Sequence, residues 1–252
     1  MHISIKLFLI IVSFLVSLNL TAYEENTEEK EPVPALKGDV QFGYLMSSGN
    51  TDSTTLNGKF NILYNLDEWL HKFSLEAYST SDSDITTGER YKAAYQLDRK
   101  LDESRYLFGS ASYEEDRFSG YENISTIAAG YGHEFYNVDK TTLDAEIGIG
   151  YRNSRLVPES VVIGESAEIN EALIRLAVDY HWHLGENRSV TSKLKIDAGE
   201  ESVISYFDVS FITMIAGDLS FKASFEARHN SDVPVDTENL DTITSINLLY
   251  AF

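Results

Sequence analysis

Few residue combinations in this chain have the types and spacing that hydrolysis requires. His229 and Ser231 lie two residues apart, a spacing that places two side chains on one face of a strand. A lipid hydrolase could use such a pair, because a histidine can activate a serine hydroxyl. Asp82 and Asp84, together with His229, have the composition of a protease site built from acids and a histidine. Both sets fall in predicted loops, so we expect a protein that is not an enzyme.

A second candidate for chemistry is the pair His181 and His183, which lies on one face of a predicted strand. Imidazoles at this spacing are able to bind a transition metal. Because the pair lies near a strand end beside the outward-facing Trp182, we predict an interfacial pair without a metal. The chain has no cysteine, which excludes disulfides and thiol chemistry. No glycine-rich phosphate loop is present, so we predict no cofactor.

The elements that carry these residues are predicted by alternation of apolar and polar residues, which runs from Gly38 to the end of the chain. It is clearest between Ala172 and Trp182 and predicts about twelve strands. The strands are longer than is usual in globular sheets, and tyrosine and phenylalanine concentrate near their ends. We therefore predict an all-β fold, a transmembrane antiparallel β-barrel of about 12 strands. The fifth strand, in which Tyr106 and Phe108 are predicted to face lipid, and the sixth are weak, which leaves ten or fourteen strands open.

The predicted connections alternate in length, as they do in outer-membrane barrels with short periplasmic turns and longer outer loops. Short turns are predicted near 65–68, 98–103, 137–140, 185–187 and 217–218. Long loops are predicted near 47–54, 80–89, 114–122, 153–168, 199–203 and 229–241. Both termini should then lie on the periplasmic side.

The N-terminal region predicts export. Residues 1–22 combine Lys6, an apolar run over 7–18 and a small residue at Ala22, which is typical of a cleaved signal peptide. Residues 23–37 are rich in glutamate and predict a disordered acidic linker in the periplasm. Residues 38–252 then form the barrel.

The C-terminal run has apolar residues at every second position and ends on an aromatic. This pattern predicts a lipid-facing last strand and an assembly signal for the barrel assembly machinery in the cell outer membrane. The residues of this signal are Ile246, Leu248, Tyr250 and Phe252.

The charge of the chain is strongly negative, with a formal net charge of −20, which excludes nucleic-acid binding by charge. The strand phases nevertheless direct charges of both signs into the lumen. The predicted lumen-facing charges are Lys59, Lys72, Arg90, Lys92, Asp144, Glu146, Arg152, Arg175, Asp179, Lys193, Lys195, Glu226 and Arg228. Surplus acids crowd the predicted outer loops, where they could share divalent cations with lipopolysaccharide; solvated loop charges are the simpler interpretation.

Two segments resemble a known family. The stretch 38–44 followed by 48–52 resembles the opening of the YdiY-like family, and 106–109 with 116–121 resembles its middle hairpin. Members of this family are described as salt-induced outer-membrane proteins with a domain of unknown function. The resemblance implies an outer-membrane barrel and implies no activity or catalytic residues.

Three functions remain open at this point. The first is a narrow, weakly cation-preferring channel for small solutes or ions that serves salt or osmotic stress. The second is a non-conducting structural barrel whose lumen is closed by ion pairs and which supports envelope integrity. The third is a barrel hydrolase that uses His229 and Ser231. In each case we expect a monomer in contact with outer-membrane lipid and lipopolysaccharide.

Overall fold

A computed structural model of the chain describes residues 35–47, 53–83, 85–117, 119–138, 140–158, 166–233 and 237–252. The predicted signal peptide and residues 23–34 of the predicted linker lie outside these residues. The first strand begins at Leu36, two residues before the predicted start of the barrel. Within the described residues, no helix is long and apolar enough to cross a membrane.

The structure contains twelve strands in the described residues. They are β1 (Leu36–Ser47), β2 (Ser53–Leu66), β3 (Trp69–Asp82), β4 (Ile85–Lys100), β5 (Arg105–Asp116), β6 (Tyr121–Val138), β7 (Thr141–Leu156), β8 (Glu168–His183), β9 (Arg188–Gly199), β10 (Val203–Ala216), β11 (Leu219–Asn230) and β12 (Leu240–Ala251).

The strands form one closed antiparallel ring in which each strand pairs with its neighbours in the sequence and β1 pairs with β12. Closure pairs backbone groups that an open sheet would leave free at its two edges, over four residue pairs between β1 and β12. The prediction of a twelve-stranded antiparallel β-barrel is therefore confirmed.

The connections define two ends of the barrel. The end at which β1 begins and β12 ends has tight connections, such as 67–68 and 217–218, and we call it the turn end. Asp67 and Gly217 adopt φ of 45° and 52°, the left-handed conformation that two-residue hairpins require. The opposite end, the loop end, carries the two longest connections, 157–167 and 231–239.

The predicted long loop over 80–89 is wrong. Strand β3 continues to Asp82 and β4 begins at Ile85, so that only residues 83–84 connect them. Residues 79–82 stay paired with β2, and Thr80 donates a hydrogen bond to the carbonyl oxygen of Thr54. A strand that extends beyond the lipid needs no apolar outer face, so its polar composition resembles that of a loop.

The two faces of the barrel wall have opposite character. Large apolar side chains point outward and are exposed, as in Ile149, which is 73% exposed. Charged side chains point inward and are buried, as in Arg152, which is 1% exposed. This distribution of apolar and charged side chains is the reverse of that in a soluble protein. It suits a wall that contacts lipid on the outside and encloses polar groups on the inside.

The predicted orientation of Tyr106 and Phe108 toward lipid is wrong. Phe108 is buried, and Tyr106 donates to Glu146 on β7, so both face the lumen. The reason is space: a Cβ atom on Gly148 would meet the Phe108 ring, and one on Gly132 would overlap the Tyr106 ring. Two aromatic rings therefore fill a glycine-lined part of the inner wall.

Candidate functional site: ion pairs across the lumen

An ion pair crosses the lumen. Glu114 on β5 lies 2.9 Å from the Nη1 atom of Arg228 on β11. These strands are diametrically opposite in the ring of twelve, so the contact can only pass through the interior. Glu114 also lies 3.1 Å from Lys92 Nζ and accepts a hydrogen bond of 3.2 Å from the Tyr206 hydroxyl.

The aromatic ring of Tyr206 on β10 lies next to the same ion pair and has three cationic side chains around it. Lys92 Nζ lies 4.3 Å and Lys195 Nζ 4.5 Å from the centre of its ring. The guanidinium carbon of Arg228 lies 5.6 Å from the same centre. Such distances are within the range of cation–π attraction. We call Lys92, Glu114, Lys195, Tyr206 and Arg228 the central layer.

Two further arginines lie inside the wall formed by β5 to β10. The Arg175 guanidinium donates two hydrogen bonds to the Asp197 carboxylate, at 2.6 Å and 2.8 Å. It also donates a hydrogen bond of 2.8 Å to Ser110 on β5. Bidentate arginine–carboxylate pairs of this kind hold both partners in a fixed geometry. The contact with Ser110 joins β8 to β5 across part of the lumen.

Arg152 lies at the loop end and anchors the connection 200–202. Its Nε donates to Glu171 at 2.9 Å, and its Nη2 donates to the Ser202 carbonyl at 2.7 Å. Glu171 in turn accepts from the backbone N–H of Glu201. A buried charge needs several such partners because water cannot solvate it. The connection is therefore fixed by an interior arginine.

A third group of polar contacts lies near β1 to β4. Lys59 pairs with Glu76 at 2.7 Å, and Arg90 pairs with Glu226 on β11 at 3.5 Å. These four side chains border a cavity of about 40 Å³, enough for a few water molecules.

Toward the turn end, the contacts continue around Glu146. Its carboxylate accepts hydrogen bonds of 2.8 Å from Gln96 and 3.0 Å from Tyr106. Lys72 pairs with Asp98 at 2.8 Å. Gln96 also donates to Asp98 at 2.9 Å, which links the two groups.

The mouth of the lumen at the turn end is more open and more acidic. Glu134, Asp144 and Asp179 lie side by side in the register of β6, β7 and β8. Asp179 pairs with Lys193 at 3.2 Å, and both side chains are well exposed. Adjacent carboxylates repel one another, so this row creates a negative potential at the opening.

The structure thus brings together most of the charges predicted to face the lumen. Lys92, Lys195 and Arg228 meet in the central layer, whereas Asp144, Asp179 and Lys193 line the mouth at the turn end. The remaining predicted charges, each in the group of contacts described above, are Lys59, Lys72, Arg90, Glu146, Arg152, Arg175 and Glu226.

Sequence reasoning missed two residues of the central layer. It assigned Glu114 to an acidic outer loop, which is wrong because Glu114 is buried within β5. It did not single out Tyr206. A signal for Glu114 was present: it shares its phase with Ser110 and Ser112, whereas the apolar Leu107 and Tyr113 occupy the other phase.

The candidate hydrolytic residues are not assembled. His229 belongs to β11, in the phase opposite to the buried Arg228. Ser231 accepts a hydrogen bond of 2.8 Å from the Val203 backbone N–H, which occupies its hydroxyl oxygen in a structural contact. Asp82 ends β3, and Asp84 lies outside the described residues.

His181 and His183 stack on each other with ring centres 4.2 Å apart. In the part of the chain that the structure describes, no group of three or more His, Asp or Glu residues is arranged to hold a metal ion.

The C-terminal strand contributes to closure. Phe252 and Gly38 exchange backbone hydrogen bonds of 2.8 Å and 2.9 Å, and the Phe252 ring occupies the space that a Cβ on Gly38 would need. Ile246, Leu248 and Tyr250 expose their side chains on the outer wall.

The fold and the interior together define a twelve-stranded barrel of the outer-membrane type with a charged lumen. The chain belongs to the family described as "Protein of unknown function, DUF481", whose model matches residues 40–252. It is 25% identical over 232 residues to the uncharacterized protein YdiY of Escherichia coli (strain K12), which covers 92% of this chain and 88% of that protein. The resemblance inferred from the two sequence segments is thereby confirmed.

Among solved structures, the chain resembles the COG4313 outer membrane channel from Pseudomonas putida F1, with a TM-score of 0.53 and 13% identity. The match covers 92% of this chain and 100% of that one. The NanC porin matches with a TM-score of 0.47 and 11% identity, over 85% of this chain and 97% of that one. At 13% identity, the resemblance to the Pseudomonas putida channel shows the fold alone.

Proposed function

We propose that this protein is a narrow outer-membrane channel for small ions, in which the central layer is the constriction. The observation that carries the proposal is the interior itself: charged groups line the lumen from the mouth at the turn end to Arg152 at the loop end. The solved channel with the same fold, from Pseudomonas putida F1, supports the proposal at the level of architecture.

Weak cation preference is part of this proposal. The mouth at the turn end, which we assign to the periplasmic side, carries the row Glu134, Asp144 and Asp179 with Lys193 as the partner of one of them. A negative potential at a narrow opening raises the local concentration of cations and repels anions. The central layer places three cationic side chains around one carboxylate. Their net positive charge opposes strong selection for cations.

A specific observation favours a second candidate, the non-conducting structural barrel. The Glu114–Arg228 pair joins opposite strands, and a lumen held shut at this point would pass nothing. In that case the ion pairs would serve to stiffen the wall. The osmotic role implied by the family resemblance is compatible with either candidate.

Planar-bilayer recordings of the refolded protein separate the two candidates. A channel gives small, stable steps, and a salt gradient then yields a reversal potential with cation sign. The variant Tyr206→Ala should enlarge the steps because it removes the aromatic ring of the central layer. Silence of the wild type, with folding verified by heat-shifted gel mobility, would reject the channel and favour the structural barrel. Growth of a deletion strain at high salt then measures the osmotic role.

A further inference from the structure

The seam between β1 and β12 is paired over only part of its length. The ladder joins Asp39–Phe42 to Leu248–Ala251, which is four residue pairs. By contrast, β1 pairs with β2 along its whole length, from Leu36 to Ser47. Within the described residues, the stretch from Gly43 to Ser47 therefore has a ladder partner on one side only.

The unpaired stretch leaves backbone hydrogen-bonding groups facing the gap. Gly38 exchanges hydrogen bonds with Phe252, and in an antiparallel ladder every second residue points its N–H and C=O toward the same neighbour. Tyr44 and Met46 continue this series toward β12. In the continued register they would face Ile246 and Thr244, but the ladder ends before them. Buried backbone groups without a ladder partner need another hydrogen-bonding partner.

A polar cavity lies directly behind the gap. It is the cavity of about 40 Å³ described above, and Gln41, Asn57, Ile243 and Asn247 contribute to its wall. Asn247 is 6% exposed, and its Oδ1 atom has no hydrogen-bond partner among the described residues. Its Nδ2 group donates to Ser245 at 3.0 Å, which fixes the orientation of the amide.

A second acceptor converges on the same point. A Cβ atom on Gly43 would overlap the side-chain oxygens of both Asn57 and Asn247, so these oxygens lie close together above the glycine. Two convergent acceptors favour a ligand that donates hydrogen bonds, such as a hydroxyl or an amine. The outer rim of the gap is apolar instead: Tyr44, Met46 and Ile246 are all exposed there.

We propose that the unpaired half of the β1–β12 seam is a lateral portal that binds a membrane amphiphile. Its hydroxyl or amine head enters the cavity and donates to Asn57 and Asn247, while its apolar chain lies against Tyr44, Met46 and Ile246. The unpartnered Oδ1 atom of Asn247 inside and the apolar side chains outside suit a ligand that combines a hydrogen-bond donor with an apolar chain. The portal does not depend on ion conduction through the central layer.

Engineered disulfides measure whether the seam is open in a membrane. The chain has no native cysteine, so the double variant Tyr44→Cys/Ile246→Cys reports on the unpaired half alone. The matched control is Val40→Cys/Tyr250→Cys, whose positions are paired in the same seam with the same register. Because disulfides require nearby Cα atoms, we expect the first pair to oxidise roughly tenfold more slowly than the control. Equal rates would overturn the proposal.

Fluorescence quenching measures whether the amphiphile enters the portal. In a background with Trp69→Phe and Trp182→Phe, a single tryptophan is placed in the cavity wall as Ile243→Trp. The control is Leu249→Trp, on the same inward phase but opposite Gln41 in the paired half. Vesicles that contain phosphatidylethanolamine with brominated chains, whose ammonium head can donate hydrogen bonds, should quench the first tryptophan by about half and leave the second unquenched, since bromine quenches at short range.

The two measurements are then combined. Formation of the Tyr44→Cys/Ile246→Cys disulfide should abolish the quenching of Ile243→Trp, and reduction should restore it. No quenching of Ile243→Trp, which is the result expected if only water fills the cavity, would overturn the proposal. Quenching that persists after the disulfide has closed the seam would overturn it as well. Heat-shifted gel mobility confirms that each variant is folded.

Discussion

Glu114 and Arg228 lie 2.9 Å apart although their strands stand on opposite sides of the barrel. Each side chain reaches inward by its own length, so the contact shows that the lumen narrows to the reach of two side chains at this level. Both groups are almost completely buried, and the layer around them therefore determines what the lumen can pass.

Removal of Arg228 tests the energetic role of this pair. Arg228→Met leaves Glu114 with Lys92 as its charged partner, so we expect a loss of about 3 kcal/mol in the free energy of unfolding, near the lower end for breaking a buried pair. Urea unfolding in lipid vesicles measures it.

The control for that variant is Lys193→Met, because the Lys193–Asp179 pair is exposed. Exposed pairs contribute about 0–1 kcal/mol. The double variant Arg228→Met/Glu114→Gln should recover part of the loss, since it removes the uncompensated charge. A double variant no more stable than Arg228→Met would show that the loss does not come from the stranded carboxylate.

Arg152 allows a sharper test of geometry against charge. Arg152→Lys keeps the charge but cannot reach Glu171 and Ser202 together, because an ammonium lacks the planar fork of a guanidinium. We expect a loss of about 2–3 kcal/mol and faster hydrogen exchange of the Glu201 amide, which bonds to Glu171. The control is Arg155→Lys on the same strand, whose exposed pair with Glu168 should change stability by less than about 0.5 kcal/mol. Equal effects at the two sites would contradict the role of the fork.

Much of the fold follows from the sequence because a strand has a period of two. Once the apolar phase is assigned to lipid, every residue between is assigned to the lumen, and this reasoning places Lys59, Arg175 and Glu226 inside. The ion-pair partners of these residues do not follow from the sequence. A contact such as Glu114–Arg228 depends on the stagger between strands on opposite sides of the barrel, which no local pattern encodes.

The exceptions have a physical cause as well. The rule that aromatic residues face lipid fails at Tyr106 and Phe108, where glycines on β6 and β7 leave room inside the barrel. Part of this pattern was visible in the sequence, since Gly130 and Gly132 share the inward phase of β6, whereas their pairing with Gly148 and Glu146 is seen only in the structure. Read together with β5, that pattern would have favoured the correct orientation.

The glycine-lined wall gives a third prediction. Gly148→Val would place a Cβ against the Ala129 carbonyl oxygen and the Phe108 ring, and overpacking of this kind costs about 1–3 kcal/mol. Gly109→Val is the matched control, because a Cβ there has nothing within 4 Å and valine suits a lipid-facing strand. The measurement is the urea concentration at the midpoint of unfolding in lipid vesicles, compared between the two variants and the wild type. A Gly148→Val protein as stable as the wild type would show that the aromatic rings can move aside.

The turn at 101–104 gives a prediction about pH. Asp102 accepts a hydrogen bond from the Arg105 guanidinium and another, of 3.0 Å, from the Ser104 backbone N–H. These bonds favour the ionised form and lower the pKa of Asp102, the Arg105 side chain being the main cause. Because the folded-state pKa lies below the unfolded one, the stabilisation is complete above the unfolded pKa of about 3.9. It is lost as the pH falls through the folded pKa.

Asp102→Asn should therefore lower the unfolding temperature slightly at pH 7 and leave it unchanged at a pH below both pKa values, where the wild-type side chain is neutral too. The measurement is the temperature of the gel-mobility shift at both pH values. Asp218→Asn, in the tight connection 217–218 at the same end, is the control for a general effect of removing a surface carboxylate. A deficit of the Asp102→Asn variant that is equally large in acid would mean that the amide disturbs the turn for steric reasons, and that the charge of Asp102 contributes nothing to it.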